Sequence, residues 1–114
     1  MKIAEIATLL ETGAPLGRIQ GDRDLTTAYA GDMLSDVLAL GGQPDVLLTG
    51  LVNPQVIRTA EMLDTACVVF LRGKAPTEQI LSLAESCGVC VLTTGKEMYE
   101  ACGLLYGAGL RPAQ

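Results

Sequence analysis

Between Ala30 and Leu63 the apolar positions change period twice, and the stretch AGDMLSDVLALGGQPDVLLTGLVNPQVIRTAEML reads as loop, helix, buried strand, turn and second helix. Its centre is Asp45-Val-Leu-Leu-Thr-Gly50, a short apolar run reached through Gly41-Gly42-Gln43-Pro44. Such a run fits a strand buried on both faces, which requires helices on both faces. Ahead of it Asp32 stands as an N-cap, and Met33, Leu34, Val37, Leu38 and Leu40 share one broad apolar face at helical spacing. Behind it Asn53 is placed to cap and Pro54 to take the first helical position, where its missing N–H is not needed. The helix that follows buries Val56, Ile57, Ala60 and Leu63. Met62 falls on its polar side among Gln55, Arg58, Thr59 and Glu61.

The same alternation extends over the chain. A helix over 2–10 places Ile3, Ile6, Ala7 and Leu10 on one side and ends at Gly13 and Pro15. Leu16 to Gln20 and Leu25 to Ala30 flank the charged turn Gly21-Asp-Arg-Asp24 and read either as a hairpin or as a strand and a loop. From there the pattern gives helix 32–40, strand 45–49, helix 54–64, strand 66–71, helix 76–87, strand 89–93 and helix 96–106. Strands and helices alternating this closely predict one α/β domain over 1–114 with a mostly parallel sheet. The loops after Thr49, Leu71 and Thr93 then share the carboxyl edge, where open α/β sheets bind ligands.

Those loops read Thr49-Gly50-Leu-Val-Asn53, Arg72-Gly73-Lys74 and Thr93-Thr94-Gly95-Lys96, so hydroxyls, helix N–H groups and three of the eight cations gather on one rim. Two readings stand. In one, Thr, Asn and Gly are what caps and strand-ending turns require, and the cations solvate the surface. In the other, the rim receives an anion, with Asp32 beside it: helix N-termini carry free donors and a positive dipole end, and Gly lets backbone approach a phosphate. Neither GxxxxGK[ST] nor GxGxxG is present.

Charge narrows the partners. With 8 Lys plus Arg against 13 Asp plus Glu, a net charge of -5 supplies no footprint for nucleic acid or an anionic membrane. A small anionic ligand such as a nucleotide, or a protein partner, fits better. No apolar run approaches the roughly 20 residues that span a bilayer, and acids come too early for a signal peptide, so the expected location is the cytoplasm. There is no His, which removes the commonest general base and most zinc sites. We assign no catalytic residue, metal ligand or cofactor. Cys87-Gly-Val-Cys90 is a CxxC, but Cys87 closes a helix and Cys90 lies in a strand, whereas a redox pair sits at a helix N-terminus. These two, with Cys67 and Cys102, read as small core residues.

The last helix carries Tyr99, Leu105 and Tyr106 towards its buried side and Leu104 opposite, and Gly103 interrupts it at about 1 kcal/mol relative to Ala. Close approach of another backbone would account for the glycine. Together with Met62 and Leu104, it predicts a homodimer with two-fold symmetry.

Ala30-Gly-Asp-Met-Leu-Ser-Asp36, followed by Leu48-Thr-Gly50 and the strand–helix pairs to Gly109, resembles the DRTGG domain family in its small stand-alone form, over about residues 22 to 110. Met33 stands where the name-giving Arg would be and Leu51 where a second Gly is usual. The resemblance implies a three-layer α/β/α sandwich similar to the N-terminal domain of HPr kinase, a unit attached elsewhere to phosphotransacetylases and to nucleotide-sensing CBS-domain pyrophosphatases. It also implies a regulatory role, and stand-alone relatives near iron-hydrogenase genes imply a link to anaerobic metabolism. The favoured expectation is a non-catalytic regulatory or ligand-sensing module in a homodimer. The alternative is an enzyme acting on phosphoryl or acyl phosphate groups, with Asp32 or Asp36 as metal ligand or base and Lys74 or Lys96 as anion clamp.

Overall fold

The run Val46-Leu47-Leu48-Thr49 is buried along its whole length, and a strand apolar on both sides needs a covering layer on each. The structure, a computed structural model, describes all 114 residues. In chain order it comprises α1 (Ile3–Leu9), β1 (Leu16–Gly17), β2 (Thr27–Ala30), α2 (Leu34–Leu40), β3 (Val46–Thr49), α3 (Pro54–Met62), β4 (Cys67–Phe70), α4 (Glu78–Cys87), β5 (Cys90–Thr93), α5 (Met98–Gly107) and β6 (Arg111–Pro112). The strands form one sheet in the order β1-β5-β4-β3-β2-β6, parallel throughout except for β1.

Alternation along each strand sorts the core into two clusters. Val46, Leu48, Cys67, Val69, Cys90 and Leu92 meet Ile3, Ile6 and Leu10 of the α1 region and Ala101 and Leu105 of α5. Leu47, Val68, Phe70 and Val91 point the other way, onto Val37 of α2, Val56, Ile57 and Ala60 of α3, and Ile80 and Ala84 of α4. The result is the three-layer α/β/α sandwich with a mostly parallel sheet.

The segments on either side of Gly21–Asp24 do not pair as a hairpin. β1 runs antiparallel to β5, at the opposite end of the sheet from the β2–β6 pair. Gly17, at φ +72°, is pressed so close to the Val89 carbonyl that no Cβ fits, and the Arg18 N–H donates to the same carbonyl at 2.9 Å. The intervening loop is held at the amino edge of the sheet. There Arg23 donates to Asp45 Oδ1 and to the Asp64 carbonyl, both at 2.9 Å, while Asp45 Oδ2 accepts from the Thr26 N–H at 2.8 Å.

Helix α2 departs from its expected form. It begins at Leu34 with Met33 as N-cap and no side-chain cap, so Asp32 is not a helix cap. Only Val37 is fully buried; Leu34 is half-buried, while Met33, Leu38 and Leu40 are exposed. The cause is a narrow contact: Leu34, Val37 and Gly41 lie in one i, i+3, i+7 row, and Gly41 sits close against the Tyr29 ring. The broad apolar face is therefore mostly in water.

Helix α5 is also rotated from expectation. Ala101 and Leu105 are buried and Met98 and Leu104 pack against the core, which turns Tyr99 and Tyr106 outward. Leu104 is thus not opposite the core, and nothing in the chain approaches Gly103. Met62 is exposed, as its position on the polar side predicts.

Candidate functional site

The parallel register brings the ends of β3, β4 and β5 to one edge: Thr49 pairs with Phe70, and Phe70 with Thr93. Beyond β4 the chain makes a turn with two successive left-handed residues, Arg72 at φ +62° and Gly73 at φ +70°. For Arg this conformation is unfavourable, and surrounding bonds must hold it. Here the Arg72 N–H donates to the Lys96 carbonyl at 3.0 Å and the Gly73 N–H to the Thr94 carbonyl at 2.8 Å, so the β5–α5 turn fixes the β4–α4 turn.

That turn throws Arg72 and Lys74 back over the end of β3. The Arg72 guanidinium covers Gly50 where a Cβ would be, and it faces Asp32 Oδ2 at 3.7 Å. Lys74 Nζ donates to the Gly50 carbonyl at 3.1 Å. Asp32 reaches in from the β2–α2 turn, and its Oδ1 accepts from the Gly50 N–H at 2.7 Å and from the Thr49 hydroxyl at 3.2 Å. The Thr49 Oγ1 in turn accepts from the Leu51 N–H at 3.1 Å. Asp32, Thr49, Gly50 and Lys74 are thus joined by hydrogen bonds, and Arg72 adds an ion pair to Asp32, in one constellation from three loops.

The side chains of the other expected site residues do not join it by hydrogen bonds; Lys96 meets it only through its carbonyl. Asn53 caps α3, its Oδ1 accepting from the Val56 N–H at 3.3 Å. Thr94 is buried; its hydroxyl donates to the Leu10 carbonyl at 2.6 Å and accepts from the Lys96 N–H at 3.2 Å. Lys96 Nζ turns away to Glu11 at 3.7 Å and Glu100 at 3.8 Å, lining a separate polar hollow with Thr94 and Gly95. Thr93 ends β5, and its carbonyl accepts from the Gly13 N–H at 3.3 Å. The three cations therefore share a rim but split into two groups, Arg72 with Lys74 and Lys96 with acids.

The thiols sit where packing needs them. Cys67 and Cys90 are cross-strand partners, both fully buried, and their hydrogen bond together with burial pushes the Cys67 thiol well up. Burial, with the nearby Glu61 carboxylate, raises the Cys87 thiol, so Cys87 is not an activated nucleophile.

Two features escaped sequence reasoning. The Arg23–Asp45–Thr26 network ties loop to sheet between residues far apart in sequence, which periodicity does not encode. A mostly apolar cavity of about 110 Å³ lies between α5, β2 and β6, lined by Ala30, Leu48, Leu105 and Tyr106 among others. It follows from β6, a two-residue strand too short for any periodic signal.

Neither a family model nor a curated protein matches the chain. Among solved structures it is similar to the CBS and DRTGG domains of the regulatory region of Clostridium perfringens pyrophosphatase, complexed with its activator diadenosine tetraphosphate. The TM-score is 0.76 at 17% identity, over 98% of this chain and 48% of that one. The likeness is one of fold, and the fold of this chain is DRTGG-like. The chain spans about half the length of the structure it matches.

Proposed function

We propose that the chain is a regulatory, ligand-sensing module that binds a nucleotide or a similar small anion at the carboxyl edge of its sheet and acts as a cytoplasmic homodimer. The observation that carries the reading is the convergence of Arg72 and Lys74 on the end of β3, where the buried Thr49 hydroxyl and Gly50 N–H donate to the carboxylate of Asp32 above them. Donors of this kind, backed by two cations, suit phosphate oxygens. Asn53 caps α3 just after Gly50 in the chain, and the turn of Thr93, Thr94 and Lys96 meets the site through the backbone bonds that Lys96 and Thr94 accept from Arg72 and Gly73. A regulatory protein of the same fold, crystallised with a dinucleotide activator, supports the choice of nucleotide. No helix of the chain is long and apolar enough to cross a membrane.

A thermal-shift screen of nucleotides and phosphorylated metabolites tests the reading. A true ligand at 100 times its dissociation constant stabilises the native state by about 2.7 kcal/mol. The same compound should give a much smaller shift with the Arg72→Ala, Lys74→Ala double variant. A screen in which no anion shifts the parent protein contradicts it.

A further inference from the structure

We infer that Asp32 is an internal stand-in for the anion: its carboxylate occupies the rim donors, and a bound anion displaces it and frees the β2–α2 turn. The inference rests on the anion-binding reading above and adds how that site is regulated.

Asp32 has no structural duty in its own helix. The α2 N-cap is Met33, without a side-chain cap bond, and the Asp32 carboxylate instead crosses to the next strand end. There one oxygen takes both the Gly50 N–H and the Thr49 hydroxyl, and the other faces the Arg72 guanidinium. These are the partners a phosphate oxygen would choose, so an anion and Asp32 compete for the same positions. A bound anion beside an unmoved Asp32 would place like charges together, which is unfavourable. The latch is also weak enough to open. Side-chain exposures of 48% for Asp32 and 41% for Arg72 leave the ion pair open to solvent screening.

What opening would release is equally specific. Gly31 stays anchored, its N–H donating to the Leu48 carbonyl at 3.0 Å, so movement begins at Asp32. Helix α2 is seven residues long and has Val37 as its one fully buried side chain. Displacing Asp32 therefore loosens the first turn of the least firmly packed helix, the one that carries exposed Met33, Leu38 and Leu40. Ligand occupancy becomes a change in the mobility of an apolar surface.

Calorimetric titration with inorganic pyrophosphate tests this, using the parent chain, Asp32→Ala, Asp32→Asn and Arg72→Ala. Removing the competitor raises the fraction of protein ready to bind, so Asp32→Ala should bind about tenfold more tightly than the parent, within the usual range of coupling. Asp32→Asn, which keeps the shape and removes the charge, should also tighten binding and serves if the alanine variant does not fold. Arg72→Ala should weaken it. Amide exchange over residues 32–37 of the parent should quicken when pyrophosphate binds. Parent binding with equal or weaker binding by both Asp32 variants would overturn the inference while leaving the anion site intact. Tighter binding by the variants without faster exchange would overturn the release of the turn. If neither the parent nor any Asp32 variant binds pyrophosphate, the site and its latch fail together.

Discussion

The guanidinium of Arg72 occupies the space that a side chain at Gly50 would need. The obstacle is the mobile end of a side chain, so Gly50→Ala should displace Arg72 and leave the backbone in place. We expect a stability loss below about 1 kcal/mol by thermal melting, since the half-exposed guanidinium can move aside. Affinity for the anion found by screening should nevertheless fall in titration, because the cation is pushed off the site. Unchanged affinity would place the anion elsewhere.

Asn53 gives the opposite pairing of effects. Its side chain accepts from the Val56 N–H at the start of α3, so Asn53→Ala should destabilise the protein by about 1 kcal/mol in urea unfolding. Asp32→Ala has no cap bond to lose but leaves the Gly50 N–H and the Thr49 hydroxyl without their acceptor, so it should cost a comparable amount in the same assay.

Asp45 should govern the acid limb of stability. Burial raises its pKa, but hydrogen bonds from the Thr26 N–H, Arg23 and the Thr27 N–H outweigh burial and hold the carboxyl below its ordinary value of 3.8. A depressed folded-state pKa contributes stability that is fully present above the unfolded value and lost as pH falls through the folded one. Asp45→Ala should therefore lower stability at pH 7 by about 2–3 kcal/mol, the scale of removing a partly buried charge from its hydrogen-bond donors. Its deficit relative to the parent should shrink below about pH 4. A constant deficit from pH 7 to pH 3 would mean that the charge contributes nothing.

The proposed dimer has a direct check. Exposed Met62 on α3 is the apolar position that both sequence and structure leave uncovered. Light scattering should give a dimer mass at micromolar concentration, with Met62→Glu shifting it towards monomer. A monomer from micromolar to millimolar concentration would remove the assembly from the proposal.

The parts of the fold legible in sequence are those with a strong local period. β3 and β4 read as continuous apolar runs because both their faces are covered, and Asn53-Pro54 marked the start of α3 because cap and first turn use fixed residue types. Helix α2 misled because five apolar residues at helical spacing look like a buried face, while burial depends on how much of a neighbour the helix meets. Asp32 misled for a related reason: a cap and a cross-strand acceptor use the same residue. β1 and β6 are two-residue strands whose existence depends on distant partners, which no local pattern reports. At the rim the loops were legible from the alternation, but not that Lys96 turns to Glu11 and Glu100 while Arg72 and Lys74 turn to Gly50. Side-chain direction in a turn is set by the neighbouring turn.

The central claim is that Arg72 and Lys74 receive an anion, and a salt-dependent titration tests it most directly. The strongest nucleotide or phosphorylated ligand from the screen is titrated into the parent chain and into Arg72→Ala with Lys74→Ala, at low salt and at physiological salt. The parent should bind more tightly at low salt, since the Debye length shortens to about 8 Å at physiological ionic strength. The double variant should bind at least tenfold more weakly at low salt, with stability nearly unchanged, and the gap should narrow as salt rises. Equal affinity of parent and variant at low salt would contradict the account and make the rim a set of strand-ending turns.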